Sequence, residues 1–254
     1  MSHLRLGAGL ACATLAAVAL TLAGCGQQAT TAPAPASTVA AQDYRAFYLW
    51  SGVRPPPAMQ RAEAVYLLWG EVRRHDPSHA IALRRTPPLA RAGETWLVVR
   101  AERLDWGEGA YADVLAALRR WQASNPITGV QVDFDSSTGG LGNYAAFLRG
   151  FRTRLPAGVK LSATGLMDWP AHASDADLAA MVGTLDEIVI QTYQHRTTLP
   201  DYGKYLAQTG RLHLPYRVAL VEGGTWQAPP HLARDRNFRG YVVFLLPSAR
   251  DQKP

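Results

Sequence analysis

Two hydrophobic spacings alternate along most of this chain. Short runs that are apolar throughout, or at every second position, fit strands; stretches with apolar residues three and four apart fit amphipathic helices. Ala46 to Trp50 is the first strand-like run, closed by Ser51-Gly52 and Pro55-Pro56-Pro57. Met59 to Arg74 carries Ala62, Val65, Tyr66, Leu68, Trp69 and Val72 at helical spacing and predicts a helix. His79 to Leu83 and Thr95 to Ala101 predict strands, and Tyr111 to Ala123 a helix. In Gly129 to Asp135 the apolar Val130, Val132 and Phe134 alternate with Gln131, Asp133 and Asp135, the pattern of a half-polar strand.

The same alternation continues to the C-terminus. A helix is expected over Tyr144 to Leu155, a strand over Lys160 to Leu166, a helix over Asp175 to Leu185 and a strand over Ile188 to Tyr193. Helix-like Tyr202 to Thr209 precedes the strand Tyr216 to Val221; a weak helix over Leu232 to Phe238 precedes a last strand over Tyr241 to Leu246. Eight strands separated mostly by helices point to parallel βα units and an abbreviated (β/α)8 TIM-like barrel. The shortfall against the roughly 250 residues of a typical barrel falls at the second and the terminal helix. An open doubly wound sheet is the alternative, but no glycine-rich phosphate turn follows the first strand.

The N-terminus changes the picture of where the protein works. Residues 1–24 hold a single charge, Arg5, and an apolar stretch through Leu22, the layout of a secretory signal. Leu22-Ala23-Gly24-Cys25 resembles a bacterial lipobox, which implies lipidation of Cys25 and anchoring to a membrane by several acyl chains. Gly26 follows in place of the aspartate that retains such proteins in the inner membrane, so the cell envelope, on the periplasmic face of the outer membrane, is the expected location. Residues 25–42, rich in Pro, Ala and Thr, read as a tether, and residues 43–254 as the barrel domain.

Composition narrows the chemistry. The formal charge of +6 is a diffuse excess of arginine, and nucleic acid is not an expected partner of an exported chain. The only cysteines are Cys12 and Cys25, both consumed by the signal and the lipid, so a thiol nucleophile is excluded from the barrel. The histidines show no zinc spacing and no Gly-x-Ser-x-Gly elbow is present; no metal and no cofactor is expected.

In a (β/α)8 barrel chemistry sits at the C-terminal ends of the strands, and these ends are polar here. They offer Tyr48 and Trp50, Arg100 with Glu102 and Asp105, Asp133 and Asp135, Asp168 and Trp169, Gln191 and Tyr193, then Glu222 with Trp226 beyond. Val132-Asp-Phe-Asp135 resembles the acidic signature of chitinase-type glycoside hydrolases, and Gln191-Thr-Tyr193 their strand-end tyrosine. Ser137 stands where that family has its acid glutamate, and Val130 where it has a leading aspartate. A closer resemblance is to an uncharacterised exported bacterial family, domain of unknown function 3142. It rests on Gly129 to Asp135, Tyr144 to Arg149, Leu161 to Trp169 and Gln191 to Tyr193, and implies a barrel without an established activity.

These readings lead to an envelope protein acting on carbohydrate, with a glycan or cell-envelope polysaccharide as its partner. As a glycoside hydrolase it would use Asp133, Asp135, Glu222 and Tyr193 as catalytic groups, and Trp50, Tyr48, Asp168, Trp169, Gln191 and Trp226 to bind substrate. The alternative is a non-catalytic glycan-binding or scaffolding lipoprotein on a degenerate glycosidase barrel.

Overall fold

In the computed structural model, which describes residues 35–86 and 92–247, the strand-type runs close on themselves. β1 (Ala46–Leu49), β2 (Ala64–Arg73), β3 (Glu94–Ala101), β4 (Gly129–Asp133), β5 (Lys160–Leu166), β6 (Glu187–Gln191), β7 (Tyr216–Val221) and β8 (Phe238–Phe244) pair in parallel, each with its sequence neighbours. Phe47 lies opposite Val65 on one side and Val243 on the other, which joins first strand to last and closes the ring. The architecture is an eight-stranded parallel barrel, as the alternation predicts, and the helical layer is abbreviated.

Among the described residues, two connections carry long helices. α1 (Glu108–Gln122) buries Ala110, Tyr111, Val114, Ala117, Leu118 and Trp121, one continuous stripe at 3.6-residue spacing. α2 (Leu141–Arg152) does the same with Leu141, Tyr144, Ala145, Leu148 and Phe151. Both end in arginines, whose charge suits the negative end of the helix dipole. Each fully buried large apolar side chain in these stripes contributes about 1.5–3 kcal/mol. Later connections hold the single turns α3 (Trp169–His172), α4 (Asp175–Ala179) and α5 (Tyr202–Leu206) and the 3-10 turns Thr209–Leu212 and Leu232–Arg234, the second in place of the weak helix expected over Leu232 to Phe238. The helix expected over Asp175 to Leu185 is therefore one turn long.

The helix expected over Met59 to Arg74 is instead a 3-10 turn, Pro57–Arg61, followed by β2. The reason is burial on both faces: Val65, Leu67 and Trp69 join the layer outside the barrel, while Tyr66 and Leu68 fill its interior. A strand buried on both sides is apolar at every position, so it matches the helical spacing as well as its own. The run around His79 to Leu83 is a strand, Asp76–Ala82, but not a barrel strand; it returns antiparallel along the outside of β2. Asp113 of α1 pins this outer strand by accepting the Ala80 amide at 3.1 Å.

The packed chain also begins earlier than Asp43. Ser37–Thr38 pairs with Thr225–Trp226, and Val39 exchanges backbone hydrogen bonds with Gly223 and Gly224 at 2.9 and 2.8 Å. Val39, a lone aliphatic residue in a polar, proline-rich context, is 1% exposed. The expected signal, Cys25 and the first part of the tether lie outside the described residues.

Inside the barrel, bulk is divided unevenly. β1 to β3 fill it with Tyr48, Tyr66 and Trp96, the last two stacked at 5.9 Å. Gly129 on β4 makes room for this: a Cβ there would come within 2.7 Å of the Trp96 ring. β4 and β5 contribute Gln131 and Ser162, which complete a buried chain in which Tyr48 donates to Gln131 Oε1 at 2.6 Å and Gln131 Nε2 donates to Ser162 Oγ at 2.8 Å.

Candidate functional site

Alternation along β4 places Val130 and Val132 in the outer core and turns Gln131 and Asp133 inward. At the C-terminal ends of the strands the interior opens into a cleft of about 310 Å3. Asp133 and Asp135 from the end of β4, Tyr48 and Trp50 from the end of β1, and Gln191 and Tyr193 from the end of β6 all line it. Six of the residues singled out from the sequence thus meet in one place.

The two acids occupy different environments. Asp133 is largely buried and accepts a 2.9 Å hydrogen bond from Thr164 Oγ1 on β5, while Asp135 is exposed. Burial pushes the Asp133 carboxyl above the usual aspartate range; the Arg100 charge and the Thr164 hydrogen bond pull the other way, and Asp135 adds a smaller push upward. The Tyr193 phenol is held well above its usual value by burial first, then by the charges of Asp133 and Asp135. Tyr48 is held up in the same way, chiefly by burial. Both phenols are consequently neutral hydrogen-bond donors across the physiological range. Gln191 is braced by donating from Nε2 to the Tyr193 carbonyl at 2.8 Å.

Four sequence candidates stand elsewhere. Glu222 does not line the cleft: its carboxylate accepts the Leu246 amide at 3.1 Å and ties the end of β7 to the chain beyond β8. The cause is strand parity, since Ala219 and Val221 face the interior and the next residue, Glu222, turns away. Trp169 is fully buried beneath Gly165, where a Cβ would sit 2.9 Å from its ring, and donates to the Ser136 carbonyl at 2.8 Å. Asp168 begins α3 outside the cleft lining, with Oδ1 buried and without a hydrogen-bond partner. Trp226 stacks on Tyr202 at 4.3 Å in the outer core.

Among the cleft residues with no role assigned from the sequence, two have titratable side chains. Arg100, at the end of β3, shares inward parity with Trp96 and Val98, a signal present in the strand pattern. His195 is not legible in that way: it sits with a φ of 53° at the turn of a small hairpin, Tyr193–Gln194 against Thr197–Thr198, over the cleft. Trp50 is a platform for Arg100, whose guanidinium lies 5.2 Å from its ring centroid, so one ring face is occupied. Among the described residues no three His, Cys, Asp or Glu side chains are grouped so as to hold a metal ion.

No curated protein matches the sequence. Among solved structures, it is similar to the Bacillus cereus spore cortex-lytic enzyme SleL, with 17% identity, TM-score 0.45, and 69% of this chain over 49% of that one. It is also similar to a class V chitinase from Nicotiana tobaccum, with 12% identity, TM-score 0.48, and 70% of this chain over 66% of that one. For the chitinase domain of the Clostridium difficile spore coat protein CotE the figures are 12%, 0.48, 82% and 73%. The chain therefore spans about half the length of SleL and just under two thirds of the tobacco chitinase. Residues 100–220, which run from Arg100 through both aspartates and Tyr193 to the end of β7, match the Domain of unknown function (DUF3142), the family whose recurring blocks the sequence resembles.

Proposed function

We propose that this protein binds a saccharide chain of the cell envelope in the cleft at the C-terminal end of its barrel, while a lipid on Cys25 holds it at the periplasmic face of the outer membrane. One observation carries the reading: polar groups from separate strand ends converge on an open cleft with an aromatic rim. Asp133, Asp135, Gln191, Tyr193 and Arg100 offer acceptors and donors, and Trp50 and Phe244 offer ring faces and edges. Sugars demand that mixture of directed hydrogen bonds and apolar contact.

Hydrolysis in the same cleft is the second reading, favoured by the buried Asp133, whose raised pKa suits it to holding a proton beside Asp135. Asp133 then protonates the leaving oxygen and Asp135 activates water or attacks. Glu222 has no part in it.

Calorimetric titration of the full chain with NAG4, the ligand seen with a variant of the tobacco chitinase, and with envelope polysaccharide fragments tests binding, and release of reducing ends tests hydrolysis. Asp135→Asn is expected to weaken binding about tenfold or more with the fold intact. Unchanged affinity in that variant would remove Asp135 from the site, and heatless titrations with every saccharide would overturn the reading. Incorporation of labelled fatty acid that Cys25→Ser abolishes is the expected result for the anchor.

A further inference from the structure

Arg100 stands out among the groups of the cleft. Its register partner on the neighbouring strand is Asp133, so the two Cα atoms face each other across one strand spacing, about 4.8 Å. An arginine beside a buried carboxylate ordinarily closes a two-pronged ion pair with it. Here no such pair forms. Asp133 takes its hydrogen bond from Thr164, on the strand at its other side, and the Arg100 guanidinium extends over the Trp50 ring. Among the described residues it has no hydrogen-bond or ion-pair partner of its own. A planar fork of N–H donors is thus propped on an aromatic face at the wall of the cleft, with its donors unused.

We infer that Arg100 is the specificity-determining residue of the cleft and selects saccharides that carry a carboxylate close to the sugar ring. This rests on the saccharide-binding reading and narrows it from sugars in general to acidic sugars. The fit is chemical: a guanidinium held over the Trp50 ring, 5.2 Å from its centroid, keeps its N–H donors for a ligand, and a carboxylate meets such a fork through two parallel N–H to O bonds. Neutral hydroxyls satisfy the fork less well, one donor at a time. A ring carboxylate of a uronic acid and a lactyl carboxylate of muramic acid present the same group, and the ligands tested distinguish them.

The experiment is titration of the full chain with two acidic probes, a tetragalacturonate and a muramic-acid-containing glycan fragment, each beside its counterpart with the carboxylate reduced to an alcohol. The expected result is at least about tenfold tighter binding of one acidic probe than of its reduced form, and loss of that difference as salt is raised. Arg100→Gln should bring the affinities for each acidic probe and its reduced form to within about twofold of each other, and Arg100→Lys should restore part of the preference, since a point charge replaces the fork. The salt dependence is read on the unaltered protein and stands even where a variant fails to fold. Equal affinity for acidic and reduced probes, or a preference that survives in Arg100→Gln, overturns the inference and leaves the saccharide cleft in place. No binding of any saccharide overturns the cleft reading, and this inference with it.

Discussion

The two ends of the barrel interior contain the same kinds of groups in opposite states. At the N-terminal end, Glu187 of β6 accepts from Tyr66 at 2.5 Å and from Arg217 at 3.0 Å, and Arg217 also reaches Glu94 at 3.2 Å. Each of these charges has a partner, and Glu187 and Arg217 are nearly sealed from water. At the C-terminal end Arg100 and Asp133 are register neighbours and yet make no ion pair, and Asp135 is exposed. Paired charge closes one mouth and lends the barrel rigidity; unpaired charge at the other mouth is what the proposed saccharide binding would draw on. Burial raises the carboxyl pKa at both ends, at Glu187 and at Asp133, but only Glu187 has an arginine bonded directly to it.

The largest effect is expected at the closed end. Glu187→Ala takes one of its two carboxylate partners from Arg217 and the acceptor from the buried Tyr66 hydroxyl, and should cost about 3–5 kcal/mol in denaturant unfolding; a loss under about 1 kcal/mol would mean that the closed mouth is not structural. Tyr48 lies between the two regions, and Tyr48→Phe leaves Gln131 Oε1 buried without its donor. That variant should lose about 1–3 kcal/mol.

Asp133→Asn separates the two ends further because its sign is the reverse. The folded protein holds the Asp133 proton at pH values where the unfolded chain, with a pKa near 4, has released it. The native state therefore binds more protons than the unfolded one in that window, and stability falls as pH rises from about 4 through the raised pKa. Asparagine keeps an acceptor for Thr164 and removes the cost. The variant is expected to melt above the parent protein at about pH 7, to lose that advantage at about pH 3, and to bind saccharide poorly; a lower melting temperature near neutral pH would refute the account of burial. The smallest effect belongs to Glu222→Gln, which still accepts the Leu246 amide. Stability within about 0.5 kcal/mol and unchanged saccharide affinity are expected, and a loss of affinity would return Glu222 to the site.

Much of this architecture is legible in the order of residues. β5 and β7 fall where the pattern places them, and β4 is identified with its inner and outer faces; in β4 and β5 a polar side, Gln131 and Asp133 or Ser162 and Thr164, makes the period of two visible. β2 is not legible, since the interior takes Tyr66 and Leu68 and the outer layer takes Val65, Leu67 and Trp69, which leaves no polar side to reveal the period. In the candidate site, position at a strand end proves weaker than parity within the strand. Arg100 and Asp133 have inward parity and line the cleft, whereas Glu222 has outward parity and does not. Trp169 and Trp226 belong to the core because a ring of that size gains more from full burial than from a partly wet surface.

Local periodicity is enough to set the succession of strands apart from β2, the two long helices that follow β3 and β4, and the inward direction of Asp133, because each depends only on residues a few positions apart. Which strand ends share a cleft is settled by the closed ring instead. Pairing of β1 with β8 brings Tyr48 and Trp50 into one cleft with Gln191 and Tyr193, and lays Arg100 on Trp50 rather than on Asp133. Those are contacts between residues far apart in the chain, fixed by ring closure and by the packing of large side chains, and no local pattern encodes them.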